Sequence, residues 1–170
     1  MDASPREAKS SKRIKAEYSE LKLHPHNGIK AGPTNENNIY EWSVDINGPP
    51  GTAYEGAVLP ALLTFPKEYP LLPPKIRLVG NVFHPNVAPD GTVEIPILHV
   101  TGDDPSRHDS TQERWSPVQS VEKILLAVRG MFVHPFEENV ANPQADDLLK
   151  ADKVKFEETV KRSVSMIASL

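Results

Sequence analysis

The eight residues Ile39-Tyr40-Glu41-Trp42-Ser43-Val44-Asp45-Ile46 alternate apolar and polar side chains, and this alternation constrains the fold more than any other feature of the sequence. In an extended strand, successive side chains point to opposite faces, so Tyr40, Trp42, Val44 and Ile46 share one face and Glu41, Ser43 and Asp45 the other. A strand of this kind is half-buried and needs both sheet neighbours and an apolar layer over one side. The turn Asn47-Gly48-Pro49-Pro50-Gly51-Thr52 leads to a second strand, about Ala57 to Phe65. Pro66 and Pro70 flank another turn before a third strand, Lys75 to Val79. Such short connections predict an antiparallel meander.

Helical periodicity lies on either side of these strands. Ile14, Tyr18 and Leu21 recur at helical spacing, with Ser10 or Ser11 as the expected N-cap and Pro25 and Asn27-Gly28 as the stop after about Leu23. Residues 1–9 are polar and aperiodic and read as a disordered N-terminal arm. After a long irregular stretch from Val82 to Pro117, Ser120 is placed to cap a helix whose stripe is Val121, Ile124, Leu125, Val128 and Phe132. A shorter turn near Gln144 to Lys150 precedes a last helix from about Asp152, with Phe156, Val160, Val164 and Ile167 on one face. Helix, strands, irregular region and helices in that order predict an α+β fold.

Composition narrows the functional classes. A length of 170 residues, 38% of them hydrophobic, suits one compact domain, expected over residues 10–170. A formal net charge of −4 gives no general footprint for nucleic acid. No apolar run approaches the roughly 18 residues of a membrane-spanning helix, and the N-terminus lacks a signal peptide's apolar core. The cytoplasm is the expected compartment, with the nucleus as the alternative. There is no cysteine, which excludes disulfides, thiolate metal sites and a cysteine nucleophile in this chain. His24 and His26 sit at a turn, and His99, His108 and His134 show no ligand spacing; with no phosphate-binding glycine loop either, no metal or cofactor is expected.

Four stretches carry a family resemblance: Tyr54-Glu55-Gly56, the run from Phe65 through Tyr69-Pro70-Leu71-Leu72-Pro73-Pro74 to Lys75, His84-Pro85-Asn86-Val87, and Trp115-Ser116-Pro117-Val118-Gln119-Ser120-Val121. In this order, from about Ser10 to the C-terminus, the chain resembles the ubiquitin-conjugating enzymes. The resemblance implies an N-terminal helix, a four-stranded antiparallel meander sheet, a long irregular active-site region, a central helix and C-terminal helices. The segment from Ile97 through Asp103 and Asp104 to Trp115 is similar to the acidic loop of one branch of that family, which serves endoplasmic-reticulum-associated degradation. For that branch, recruitment to the cytosolic face of the endoplasmic reticulum is implied. A solvated insertion is the plainer reading of the same charges.

In that family, ubiquitin is carried as a thioester on a cysteine about eight residues beyond the asparagine of His-Pro-Asn. Here the frame reads Val93-Glu94-Ile95-Pro96-Ile97-Leu98. A thiol, with a reference pKa near 8.5, supplies usable thiolate near neutrality and also leaves readily when an amine attacks. A carboxylate would have to form a hydrolysis-prone mixed anhydride. Glu94 therefore reads as a solvated charge or as a contact for a partner's basic group. Pro96 removes a backbone donor that the usual serine would offer.

Asn86 is implied to stabilise an oxyanion and His84 to structure the loop; without a thioester, both read as loop-holding groups. His134-Pro135-Phe136 and Leu148-Leu149 also depart from the family pattern. By resemblance, Lys12, Arg13 and Lys15, with Lys9 nearby, would dock an activating enzyme, and Leu71, Pro117 and Val118 would grip a RING or U-box ligase. The expected function is a non-catalytic member that binds a ligase, ubiquitin or an active conjugating enzyme. The alternatives are a true transferase whose native cysteine has been replaced at Glu94, and an interaction domain outside ubiquitin biology.

Overall fold

The structure, a computed structural model, describes residues 4–100 and 114–168. Helix α1 spans Pro5–Leu23, a four-stranded sheet follows (β1 Ile29–Asn35, β2 Asn38–Asn47, β3 Val58–Thr64, β4 Lys75–Leu78), and three helices close the chain: α2 Val121–Met131, α3 Pro143–Ala151 and α4 Lys153–Ala168. The sheet is an antiparallel meander in the order β1-β2-β3-β4, so the α+β architecture and the four strands are as expected.

The alternation in β2 sets the sheet's two faces. Trp42, Val44 and Ile46 are buried while Glu41, Ser43 and Asp45 face out. In register with them, Leu63, Ala61 and Leu59 of β3 turn inward, and Ile76 and Leu78 of β4 continue that layer. The helices cover it. Ile14 comes from α1, Ile124, Leu125 and Val128 from α2, and Phe156 and Val160 from α4, each nearly or wholly buried. Trp42 lies at the centre, edge-on to Tyr18 at 5.5 Å and to Phe65 at 5.2 Å between ring centroids. Gly48 sits where β2 leaves the sheet, and a Cβ there would run into the Tyr54 carbonyl oxygen.

Three differences from expectation have physical causes. First, α1 begins at Pro5 rather than after Ser10 or Ser11, so residues 5–9, read as an arm, form its first turns. Ser4 is the N-cap and accepts the Glu7 N–H at 3.1 Å; Pro5 at the first helical position loses no useful donor. Ser10 is instead fully buried, with its hydroxyl 2.6 Å from the Tyr40 hydroxyl and donating to the Glu7 carbonyl. Second, β1 forms where no alternation marks a strand: it carries Gly32 and Pro33 with a register shift beside them, features that an edge strand tolerates. Third, the irregular region contains a short 3-10 helix, Pro96–Leu98. The region 101–113, with Asp103 and Asp104, lies outside the described residues. Its flanks meet: Val100 and Trp115 form a parallel bridge, and Trp115 N–H donates to the His99 carbonyl at 2.9 Å.

Candidate functional site

The loop His84-Pro85-Asn86-Val87 is fastened from inside the protein. His84 Nε2 donates to the Met131 carbonyl at 2.8 Å and Nδ1 accepts the Asn86 N–H at 2.9 Å, which fixes the neutral tautomer with its proton on Nε2. The ring lies edge-on to Phe132 at 5.4 Å, and its burial lowers the pKa to about 4 against the partial opposition of the Met131 hydrogen bond. At neutral pH this histidine is an uncharged strut. Beside it, Tyr54 donates to the Phe83 carbonyl at 2.6 Å, and burial pushes the phenol's pKa upward.

Asn86 is wholly buried and uses every polar atom of its side chain. Its amide nitrogen donates to the Phe136 carbonyl at 2.8 Å and the Asn139 carbonyl at 2.9 Å, while Oδ1 accepts the Phe136 N–H at 2.9 Å. The Asn86 carbonyl accepts the Glu94 N–H at 2.8 Å, and Pro85 receives the N–H groups of Ala141 and Asn142. This loop thus ties residues 94 and 136–142 together. Both amide hydrogens are committed within the fold, an arrangement that suits loop-holding. Phe136, at one of the departures from the family pattern, joins through its backbone, while its half-buried ring packs on the core. Leu148 and Leu149, at the other, are half-buried on α3 and pack on the same core.

Glu94 stands between buried Val93 and buried Ile95, with its side chain 38% exposed. Its Oε2 lies 3.1 Å from His99 Nε2, an ion-pair distance without the alignment of a hydrogen bond. Ile95 caps the 3-10 helix, and Pro96 occupies its first position. An N–H at that position has no partner within such a helix, so the proline removes a donor without breaking the local ladder. Leu98 and His99 complete the turn by donating to the Ile95 and Pro96 carbonyls, each at 3.0 Å. His99 is a site residue that the sequence reading missed, because no periodicity or ligand spacing points a lone histidine back at a glutamate five residues earlier. The glutamate's chemistry here is that of a half-exposed base and anion, with no acyl-carrying thiol in reach.

Two further surfaces are candidates for partner contact. Leu71 is 62% exposed and Val118 84% exposed, each on a proline-bearing loop, with Pro117 exposed next to Val118. The loops are joined beneath by Trp115, which is buried and donates its indole N–H to the Pro70 carbonyl at 2.9 Å. On α1, Lys12 and Lys15 are exposed and border a shallow cleft with Glu7 and Tyr40. Arg13 leaves that basic face and turns toward the second loop, where its Nη2 reaches the Pro117 carbonyl at 3.0 Å and the Gln119 carbonyl at 2.8 Å. Among the described residues there is no group of three or more side chains suited to hold a metal ion and no helix long and apolar enough to cross a membrane.

The family model for "Ubiquitin-conjugating enzyme" matches residues 13–164. The chain is 51% identical over 153 residues to human "Ubiquitin-conjugating enzyme E2 G2", covering 90% of this chain and 93% of the relative. It is 47% identical over 155 residues to "Ubiquitin-conjugating enzyme E2-18 kDa" of Schizosaccharomyces pombe, covering 91% and 93%. It is 43% identical over 151 residues to "Ubiquitin-conjugating enzyme E2 13" of Arabidopsis thaliana, covering 89% and 91%.

Proposed function

The chain belongs to the ubiquitin-conjugating enzyme family, and we propose that this member transfers no ubiquitin itself but serves as a binding or regulatory module for a RING or U-box ligase, ubiquitin or an active conjugating enzyme. The observation that carries this reading is Glu94 in the frame where the family's thiol stands, in a chain with no cysteine. A carboxylate held 3.1 Å from an imidazole can accept a proton or pair with a cation, but it cannot form and release a thioester.

The contact surfaces support the binding half of the reading. Leu71, Pro117 and Val118 are presented on loops braced by Trp115, and little of such a surface must be frozen when a partner docks. Lys12 and Lys15 stay exposed for an acidic partner such as the activating enzyme. Similarity to the acidic-loop branch extends the proposal to protein degradation at the cytosolic face of the endoplasmic reticulum, by a protein otherwise in the cytoplasm. The second reading, a transferase whose native cysteine has been replaced, is favoured by the intact His84–Asn86 loop beside residue 94.

The deciding experiment mixes the chain with activating enzyme, ATP and ubiquitin on a non-reducing gel, next to the double variant Glu94→Cys, Pro96→Ser. The chain as it stands is expected to form no adduct. If the double variant charges, only the thiol is missing and a decoy or competitor role leads. If it stays bare, charging has been lost beyond these two positions and ligase or scaffold binding leads. An adduct on the unmodified chain that survives reducing agent would sink the proposal.

A further inference from the structure

Beneath the exposed loops, one carboxylate holds the residue before the first, the residue at the start of the helix after the second, and the arginine that binds the second. Glu17 lies on α1 with its side chain only 13% exposed. Its Oε1 accepts the N–H of Val121, the first residue of α2, at 2.8 Å. Its Oε2 accepts the Tyr69 hydroxyl and, at 3.2 Å, Arg13 Nε–H. Tyr69 immediately precedes the Pro70-Leu71 loop, and burial together with the Glu17 hydrogen bond raises its pKa, so it remains a donor. The Arg13 guanidinium carries the connection onward. Its two Nη2 bonds, to the carbonyls of Pro117 and Gln119, bracket Val118, and the guanidinium also lies over the Tyr69 ring at 5.8 Å from the centroid.

We infer that Arg13 and Glu17 are positioning residues for the two contact loops, fixing where Leu71 and Val118 stand relative to one another and acting through the loops rather than by touching the partner. Three of the five guanidinium hydrogens are spent inside the protein, at Glu17 and at two backbone carbonyls, so Arg13 is a brace and not a free docking cation. The planar fork is essential to that geometry. A lysine keeps the charge but cannot span a carboxylate on its own helix and two carbonyls across the gap with the same rigidity. The inference deepens the proposed function, since it rests on these loops being the ligase-contact surface.

The test separates bracing from direct contact and stands apart from the ligase reading. Hydrogen exchange is measured at the Leu71 and Gln119 amides, which donate to the Glu68 and Ser116 carbonyls, in the unmodified chain and in Arg13→Ala, Arg13→Lys and Glu17→Gln. Gln119 is expected to exchange about tenfold faster in all three variants, and Leu71 also in Glu17→Gln, while Ile124 to Val128 inside α2 stay unchanged. In parallel, a recombinant RING domain chosen because it binds the unmodified chain is expected to bind each variant about tenfold more weakly, by the same factor at low and high salt. Unchanged exchange in the variants overturns the inference, and so does Arg13→Lys restoring both exchange and affinity, because charge alone would then suffice. If no RING domain binds the unmodified chain, the ligase reading falls, while the exchange rates still decide whether Arg13 and Glu17 hold the loops.

Discussion

Asn86 and Phe136 exchange hydrogen bonds in both directions, the Phe136 N–H to Asn86 Oδ1 at 2.9 Å and Asn86 Nδ2 to the Phe136 carbonyl at 2.8 Å. With Asn139 as a third partner, a buried amide clips two distant chain segments together. Asn86→Ala is expected to cost about 3 kcal/mol in urea denaturation, since it strands an N–H and two carbonyls. Asn86→Asp is expected to be at least as costly, because a carboxylate cannot donate to either carbonyl. A variant as stable as the unmodified protein would show that the amide is not held for architecture.

His84 makes stability depend on pH with a definite sign. Its folded pKa, about 4, lies below the ordinary value of 6.5, so the native state resists taking a proton that the unfolded chain accepts. The contribution is complete above pH 6.5 and is lost as pH falls from there toward 4, a loss on the order of 3 kcal/mol. Urea midpoints of the unmodified protein and of His84→Gln should converge as the pH is lowered through that window. Parallel curves would contradict the buried, neutral histidine.

Glu94 and His99 present the opposite case. Their side chains are 38% and 33% exposed and misaligned for a hydrogen bond, so little is gained by holding the two together. Glu94→Gln is expected to shift stability by no more than about 0.5 kcal/mol at neutral pH, read from thermal or urea unfolding. A loss of several times that amount would mean the carboxylate is a structural requirement rather than a replaceable side chain at that position.

Gly48 tests the sheet exit. Because an added methyl would collide with the Tyr54 backbone oxygen, which no side-chain rotation can relieve, Gly48→Ala is expected to cost about 3 kcal/mol or more. Gly130, where a Cβ meets nothing within 4 Å, supplies the control: Gly130→Ala in α2 is expected to be neutral or to stabilise by about 0.5 to 1 kcal/mol.

Much of this fold was legible in the sequence because burial has a period. The β2 alternation and the α2 stripe from Val121 to Val128 appear in the structure as read, and so does the Ser120 cap, whose hydroxyl accepts the Lys123 N–H. The early start of α1 had a signal as well, since Ser4-Pro5-Arg6-Glu7 places a capping serine, a first-turn proline and an acidic third residue in series. β1 had none, because an edge strand interrupted by Gly32 and Pro33 gains its identity from pairing with β2. The same limit applies at the site. Motif and frame pointed to Glu94 and Asn86, but the Glu94–His99 approach and the turn of Arg13 toward Pro117 and Gln119 depend on tertiary geometry that local spacing does not encode.

The bridge between Val100 and Trp115 gives the chain a kind of socket. Trp115 is locked into the core by its ring and its indole N–H, and His99 and Val100 meet it from the other side. Whatever segment joins those two posts begins and ends at a fixed separation, so the entropy of closing it rises only with the logarithm of its length, roughly 0.6 kcal/mol per doubling. Inserts of different size and charge can therefore be exchanged there while the sheet and helices below remain as they are.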